Sequence, residues 1–231
     1  MKLESGLCLA LDCSNGWICA GLFGKDLSLS ETVHSPRGSF MQLMPAVRQL
    51  LEKSGTKKPD WICCAIGPGS FTGVRIGVGA ARNLAQLWDI PVLGVDSLQF
   101  YARDIRTYAI EESFGVLIDA KQSRVYAARI GSDFHTESLD MEPDILFRNH
   151  PGLTYYCDDV IAVENYTQEK ELLKKINLRS MKPPGCESLY RESLELGGIQ
   201  KAENWAELLP VYLRNDPASR RFPEGIKIKE K

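Results

Sequence analysis

Apolar residues along this chain fall in short continuous runs broken by one long helical pattern. Leu7 to Leu11 is an apolar run ending at Asp12, as a short buried strand would be. Cys13-Ser14-Asn15-Gly16 follows. Asn-Gly is a strong turn signal, so Trp17 to Phe23 is expected to return as a second strand. Leu27 to Val33 reads as a third strand. Met41 to Leu51 has helical spacing, with Met44, Val47 and Leu51 on one face and Pro45 near the first turn. Trp61 to Ile66 is strand-like again. Thr72 to Trp88 is a long helix, followed by a strand at Val92 to Val95 and a helix from Ser97, taken as its cap, to about Ala109.

The pattern then starts over. Val116-Leu117-Ile118-Asp119 is an apolar strand ending in Asp, Ala120 to Ser123 is a turn-sized gap, and Arg124 to Ile130 returns as a strand. Only Asp12/Asp119 and Ala20/Ala127 are identical between the two copies, so the repeat lies in architecture more than in sequence. It predicts two related α/β halves, 1–103 and 104–214, and a basic tail at 215–231. Further on, Asp144 to Arg148 reads as a short helix and Leu153 to Cys157 as a strand. Thr167 to Ile176 is expected to be a polar helix, Met181 to Gly185 a Pro-Gly loop, and Glu187 to Leu196 a helix stopped by Gly197-Gly198.

The densest chemical signal is Gly67-Pro68-Gly69-Ser70-Phe71-Thr72-Gly73-Val74-Arg75-Ile76-Gly77, a glycine loop between a buried strand and the long helix. Interior helical glycines at 73, 77 and 79 each cost about 1 kcal/mol relative to alanine, so close backbone approach must recover it, either to another helix or to a phosphate. Gly73, Gly77, Ala81 and Ala85 recur every four residues as a small-residue stripe. If the stripe is exposed it is an interface, extended by Arg75, Val78, Met44 and Val47. The loop is not a P-loop, because no Lys-Ser/Thr follows its second glycine. Its spacing is one residue too long for a dinucleotide fingerprint, and Ser70 sits one position early for a nucleophile elbow.

Composition narrows the remaining choices. The net charge of −2 gives no basis for wholesale nucleic-acid coating, and no apolar run approaches the length of a membrane helix. The start of the chain carries no signal-peptide pattern. Seven cysteines without a Cys-x-x-Cys read as reduced core thiols of a cytoplasmic protein. His34, His135 and His150 show no metal spacing, so no metal site is expected. Asp12 and Asp119 are candidates for Asx turns or for polar groups near a phosphate. Ser14, Gly67, Gly69 and Ser70 share that nucleotide-proximal reading. No base, metal cage and nucleophile belong together, so no catalytic residue is assigned.

The glycine segment resembles the hallmark of the TsaB (YeaZ) family. Leu9-Ala10-Leu11-Asp12-Cys13-Ser14, Ile118-Asp119-Ala120-Lys121 with Val125-Tyr126, and Pro210-Val211-Tyr212-Leu213-Arg214 resemble three further family pieces in the same order. Ser39 and Cys13 stand where relatives carry His and Thr. The resemblance implies an actin-like (ASKHA, ribonuclease H-like) duplicated two-lobe α/β fold. It implies a non-catalytic scaffold and dimerisation subunit of the complex that transfers a threonylcarbamoyl group to N6 of adenosine 37 in tRNAs reading ANN codons. TsaD would be the catalytic partner and TsaE an ATPase partner. A homodimer would form in isolation, tRNA would be met through the complex, and ATP or ADP would sit only at the complex interface. A stand-alone ATPase of the actin-like class, using Asp12, Asp119 and the glycine loop, is the alternative.

Overall fold

The computed structural model describes residues 6–35, 39–131 and 136–214. His135 and the basic tail at 215–231 lie outside the described residues. Two five-stranded mixed sheets form the frame. The first contains β1 (Cys8–Asp12), β2 (Trp17–Phe23), β3 (Ser28–His34), β4 (Trp61–Ala65) and β5 (Val92–Val95), in the order β3-β2-β1-β4-β5. The second contains β6 (Phe114–Asp119), β7 (Val125–Ile130), β8 (Leu139–Met141), β9 (Thr154–Cys157) and β10 (Asn177–Ser180), in the order β10-β9-β6-β7-β8. In each sheet the first three strands are an antiparallel meander and the other two add in parallel on the far side of the first. The repeat read from two short motifs therefore extends to the whole strand order.

β1, β4 and β6 are buried along their full length, as their unbroken apolar runs require of strands covered on both faces. Helices α1 (Ser39–Ser54) and α2 (Phe71–Trp88) cover one face of the first sheet, where Leu9, Leu11, Ile62 and Cys64 meet Val47, Leu50, Val74 and Val78. Helices α3 (Ser97–Arg106) and α7 (Cys186–Glu195) fill the space between the sheets. There Cys8, Ala10, Trp61 and Cys63 from one side and Phe114, Val116 and Ile118 from the other close over Phe100, Tyr101 and Leu189. The outer face of the second sheet is covered by the short helices α4 (Pro143–Asn149), α5 (Val160–Tyr166) and α6 (Lys170–Leu173), which pack on Leu117, Val125 and Tyr155. The result is five layers, helix–sheet–helix–sheet–helix.

Several expectations change in detail. The boundary at 103/104 falls inside α3. Moreover α7, from the second half, lies on the first sheet, as does the returning segment in which Glu203 bridges to Val92. The apolar inner face of the first sheet needs that cover. Asp96, not Ser97, caps α3, its Oδ1 accepting from the N–H groups of Leu98 and Gln99. The Ser97 hydroxyl instead accepts from Gly67 N–H. Helix α1 starts at Ser39, which places Pro45 inside it. The polar stretch expected as one helix from Thr167 to Ile176 is only the four residues of α6, preceded by α5 and followed by β10.

Candidate functional site

Each first hairpin opens with the same local device. Asp12 ends β1 and its Oδ1 accepts from Ser14 N–H at 2.8 Å. Asp119 ends β6 and its Oδ1 accepts from Lys121 N–H at 2.7 Å. These are Asx turns, which set the chain direction at the end of a strand. The two carboxylates then part company. Asp12 is fully buried, its Oδ2 accepting from the Tyr101 hydroxyl at 2.8 Å. Burial raises its pKa, against the hydrogen bonds that stabilise the charge. It does not line the cleft between the lobes, and neither does Gly67. Neither residue reaches the surface of that cleft. Asp12 is enclosed by its own partners, and Gly67 takes φ +103° against the Val211 carbonyl.

Ser14, Gly69, Ser70 and Asp119 do come together, around an inter-lobe cavity of about 520 Å³. Its walls carry Trp17, His34, Phe71, Tyr126 and Tyr212, and its polar groups include Lys121, Asp158, Asp159 and Arg214. Lys121 Nζ pairs with Asp119 Oδ2, and the Tyr166 hydroxyl donates to Asp119 Oδ1 at 3.1 Å. Asp158 accepts the Asp119 N–H at 2.8 Å. Burial, helped by the adjacent Asp119 and Asp159 charges, pushes the Asp158 carboxyl up to about 7. The turn that carries Lys121 holds Lys121, Gln122 and Ser123 at φ 59°, 55° and 58°. Left-handed backbone costs about 1–2 kcal/mol per non-glycine residue. Among the described residues, no three His, Cys, Asp or Glu side chains group to hold a metal ion.

The glycine loop is closed by its own chain. Ser70 N–H donates to the Ser14 carbonyl at 2.7 Å, and Ser70 Oγ caps α2 by accepting Gly73 N–H at 3.3 Å. A Cβ on Gly69 would collide with the Ser14 carbonyl, and one on Gly73 with the Cys13 carbonyl. These glycines let the loop after β1 and the start of α2 touch backbone to backbone. A Cβ on Gly77 would stand 3.6 Å from Cys13 Cβ and 3.9 Å from Cys64 Sγ.

The small-residue stripe therefore faces inward, which corrects the interface reading. Gly73, Gly77, Val78, Ala81 and Ala85 are buried against the first sheet, and Val47 of α1 is buried beside them. Of the residues named for the interface, only Met44 and Arg75 reach the surface. Arg75 Nε donates to the Tyr212 hydroxyl at 2.9 Å, and its guanidinium lies 3.8 Å from the centre of the Phe71 ring. Beside this stripe, Ile76 and Ala80 of α2 pack at the edge of the same core. Ile76, Gly79 and Ala80 are half-exposed and Leu87 is 75% exposed. A Cβ on Gly79 would meet nothing within 4 Å. Across a groove of about 340 Å³, Met44, Arg48 and Leu51 of α1 face Leu84 and Trp88 of α2. Met41 is also 67% exposed. The signal for this face was in the sequence: apolar residues at 76, 80 and 87 widen the apolar arc of α2 beyond its small-residue stripe.

Residues 35–147 match a family model described as TsaD, tRNA N6-adenosine threonylcarbamoyltransferase. The chain is also 32% identical over 223 residues to the Haemophilus influenzae tRNA threonylcarbamoyladenosine biosynthesis protein TsaB, covering 84% of this chain and 86% of that one. The chain belongs to the TsaB family. The TsaB of Escherichia coli K12 is 29% identical over 201 residues, covering 81% of this chain and 86% of that protein. Among solved structures, YeaZ from Pseudomonas aeruginosa superposes with a TM-score of 0.73 at 26% identity, covering 90% of this chain and 99% of that one. The two-sheet frame is thus the actin-like two-lobe α/β fold of TsaB proteins. No helix among the described residues is long and apolar enough to cross a membrane.

Proposed function

We propose that this TsaB-family chain acts in tRNA threonylcarbamoyladenosine biosynthesis as a non-catalytic scaffold. It would support TsaD in transferring a threonylcarbamoyl group to N6 of adenosine in tRNA. The observation that carries this reading is the closed glycine loop. With Ser70 N–H on the Ser14 carbonyl and both glycines packed on backbone oxygens, the loop has no cradle for a phosphate chain. Asp12, which an actin-like ATPase would need, is enclosed by Tyr101 and Ser14. ATP or ADP then belongs at an interface with a partner, and tRNA is reached through the complex in the cytoplasm.

The docking face in this proposal is the outer side of α1 and α2, with Met41, Met44, Ile76, Gly79, Ala80 and Leu87. TsaD occupies it in the complex. A second copy of the chain occupies it when TsaD is missing, and the TsaE ATPase joins the assembled pair. Substituting Gly77 would test folding rather than docking, because Gly77 faces Cys13 and Cys64 in the core. Gly79→Arg and Leu87→Asp are the informative variants. Both are expected to stay folded, with a circular-dichroism melt no more than slightly displaced from wild type (upward for Gly79→Arg, by helix propensity), and to lose co-elution with TsaD in size-exclusion chromatography. A complex of normal size with both variants would sink the docking reading. The cleft residues Ser14, Ser70 and Asp119 keep one competing reading testable. ATP turnover by the chain alone that Asp119→Asn abolishes would favour a stand-alone ATPase; no turnover is expected.

A further inference from the structure

The segment from Pro210 to Arg214 spans the mouth of the inter-lobe cleft and holds both halves. On the first half, Val211 N–H donates to the Ile66 carbonyl at 2.7 Å, beside the glycine loop. The Tyr212 hydroxyl accepts from Arg75 Nε, and the Tyr212 ring lies 5.2 Å from the Phe71 ring. On the second half, Arg214 makes a two-pronged ion pair with Asp140, Nε to Oδ2 at 2.7 Å and Nη2 to Oδ1 at 2.8 Å. Both side chains are largely buried, which makes this fork a firm anchor. Arg124 Nε shares Asp140 Oδ1 at 2.8 Å. Arg214 Nη1 also donates to the Ala120 carbonyl at 3.4 Å, at the base of the left-handed turn that carries Lys121.

A continuous set of contacts therefore runs from Arg75, on the surface of α2, through Tyr212 and Arg214 to the β6–β7 turn on the far side of the cleft. Its first link is sensitive to water. A guanidinium on aromatic rings and a charged hydrogen bond both strengthen when solvent is displaced. A protein seated over Arg75 would displace it. The turn at the other end is in left-handed backbone geometry, and Arg214 adds hydrogen bonds to it at the Ala120 carbonyl and at Gln122 Oε1, each 3.4 Å.

We propose that this strap couples the α1–α2 docking face to the inter-lobe cleft, so that a partner seated beside Arg75 tightens the strap and orders the β6–β7 turn. The proposal rests on the docking reading above. Coupling is reciprocal, so releasing the strap from the second lobe must weaken the partner.

Hydrogen exchange on the full chain, alone and with TsaD, tests this. TsaD should slow exchange on α1 and α2 by direct contact, and also at 119–125, where Ala120 N–H donates to the Arg124 carbonyl and Arg124 N–H to the Lys121 carbonyl. Arg214→Gln should abolish the effect at 119–125, keep the protection of α1 and α2, and weaken TsaD binding by about fivefold or more. Tyr212→Ala removes both the hydroxyl that meets Arg75 and the ring that meets Phe71 and leaves the buried Arg214–Asp140 pair intact, so it decides the matter if Arg214→Gln unfolds. Protection of α1 and α2 with unchanged exchange at 119–125 would overturn the coupling alone. Protection at 119–125 that survives Tyr212→Ala would also overturn it, as direct contact. A TsaD complex that protects neither helix would overturn the docking reading and the coupling together.

Discussion

At the scale of single residues, burial decides chemistry. Asp158 keeps its proton in the folded chain up to about pH 7, whereas an unfolded chain releases it near pH 4. The native state therefore binds the extra proton between about pH 4 and 7, and this residue's contribution to stability is lost as pH rises through that window. Asp158→Asn keeps an oxygen for the Asp119 N–H and removes the charge from this half-buried site. It is expected to stabilise the chain at pH 8, on the order of 2–4 kcal/mol, with the gain shrinking toward zero below pH 4. Urea midpoints of both proteins across that range check it, and a constant difference would contradict it. The cysteines follow the same rule. All seven are buried, and burial pushes the thiols of Cys8, Cys13, Cys64, Cys157 and Cys186 up. A thiol-reactive chromogen should label none of the seven in the native chain and all of them in denaturant. Cys8, Cys19, Cys63 and Cys64 were legible as core thiols from their positions in apolar runs, whereas Cys13 and Cys186 stand in polar stretches and only the packing shows them buried.

At the scale of elements, α2 shows what a repeat of small residues can and cannot specify. The spacing of Gly73, Gly77, Ala81 and Ala85 fixed a close approach along one face of a helix. It was silent on whether the neighbour was the chain itself. The two faces make opposite predictions for one kind of substitution. Gly73→Ala drives a methyl into the Cys13 carbonyl and should destabilise by about 1–3 kcal/mol. Gly79→Ala points into open space and should stabilise by about 0.5–1 kcal/mol through helix propensity alone. Thermal melts of the pair measure the difference, and equal effects would mean the faces are misassigned. The end of the helix follows the same logic. Asp89 takes φ 51° and donates its N–H to Ala85 and Gln86 carbonyls, a position that favours glycine. The short strands β8 and β10 escaped the sequence reading because they are too brief and too polar to stand out from loop, and α5 because its single apolar turn, Val160 to Val163, is too short to show a helical period.

At the scale of the whole molecule, the two halves share a middle layer. α3 and α7 are covered by both sheets, and the 210–214 strap pins one lobe to the other. A fragment ending at residue 103 would lose part of α3 and all of α7, leaving the face of Cys8, Ala10 and Trp61 open to water. Such a fragment is expected to aggregate or to melt without cooperativity, while the whole chain unfolds in one transition. A soluble, cooperatively melting 1–103 fragment would count against this. The sequence by itself determined the strands whose apolar runs demand burial on both faces, the turns that follow Asp12 and Asp119, and the loop whose glycines require a close approach. Those are local demands, written in residue type and spacing. Only the tertiary structure decided which surface met each demand: that the Cys13 and Ser14 carbonyls fill the glycine loop, that α2 turns its small residues inward, and that α7 returns to the first sheet. The physical reason is that burial is non-directional. A run of small or apolar residues states that it must be covered, and the rest of the fold supplies the cover.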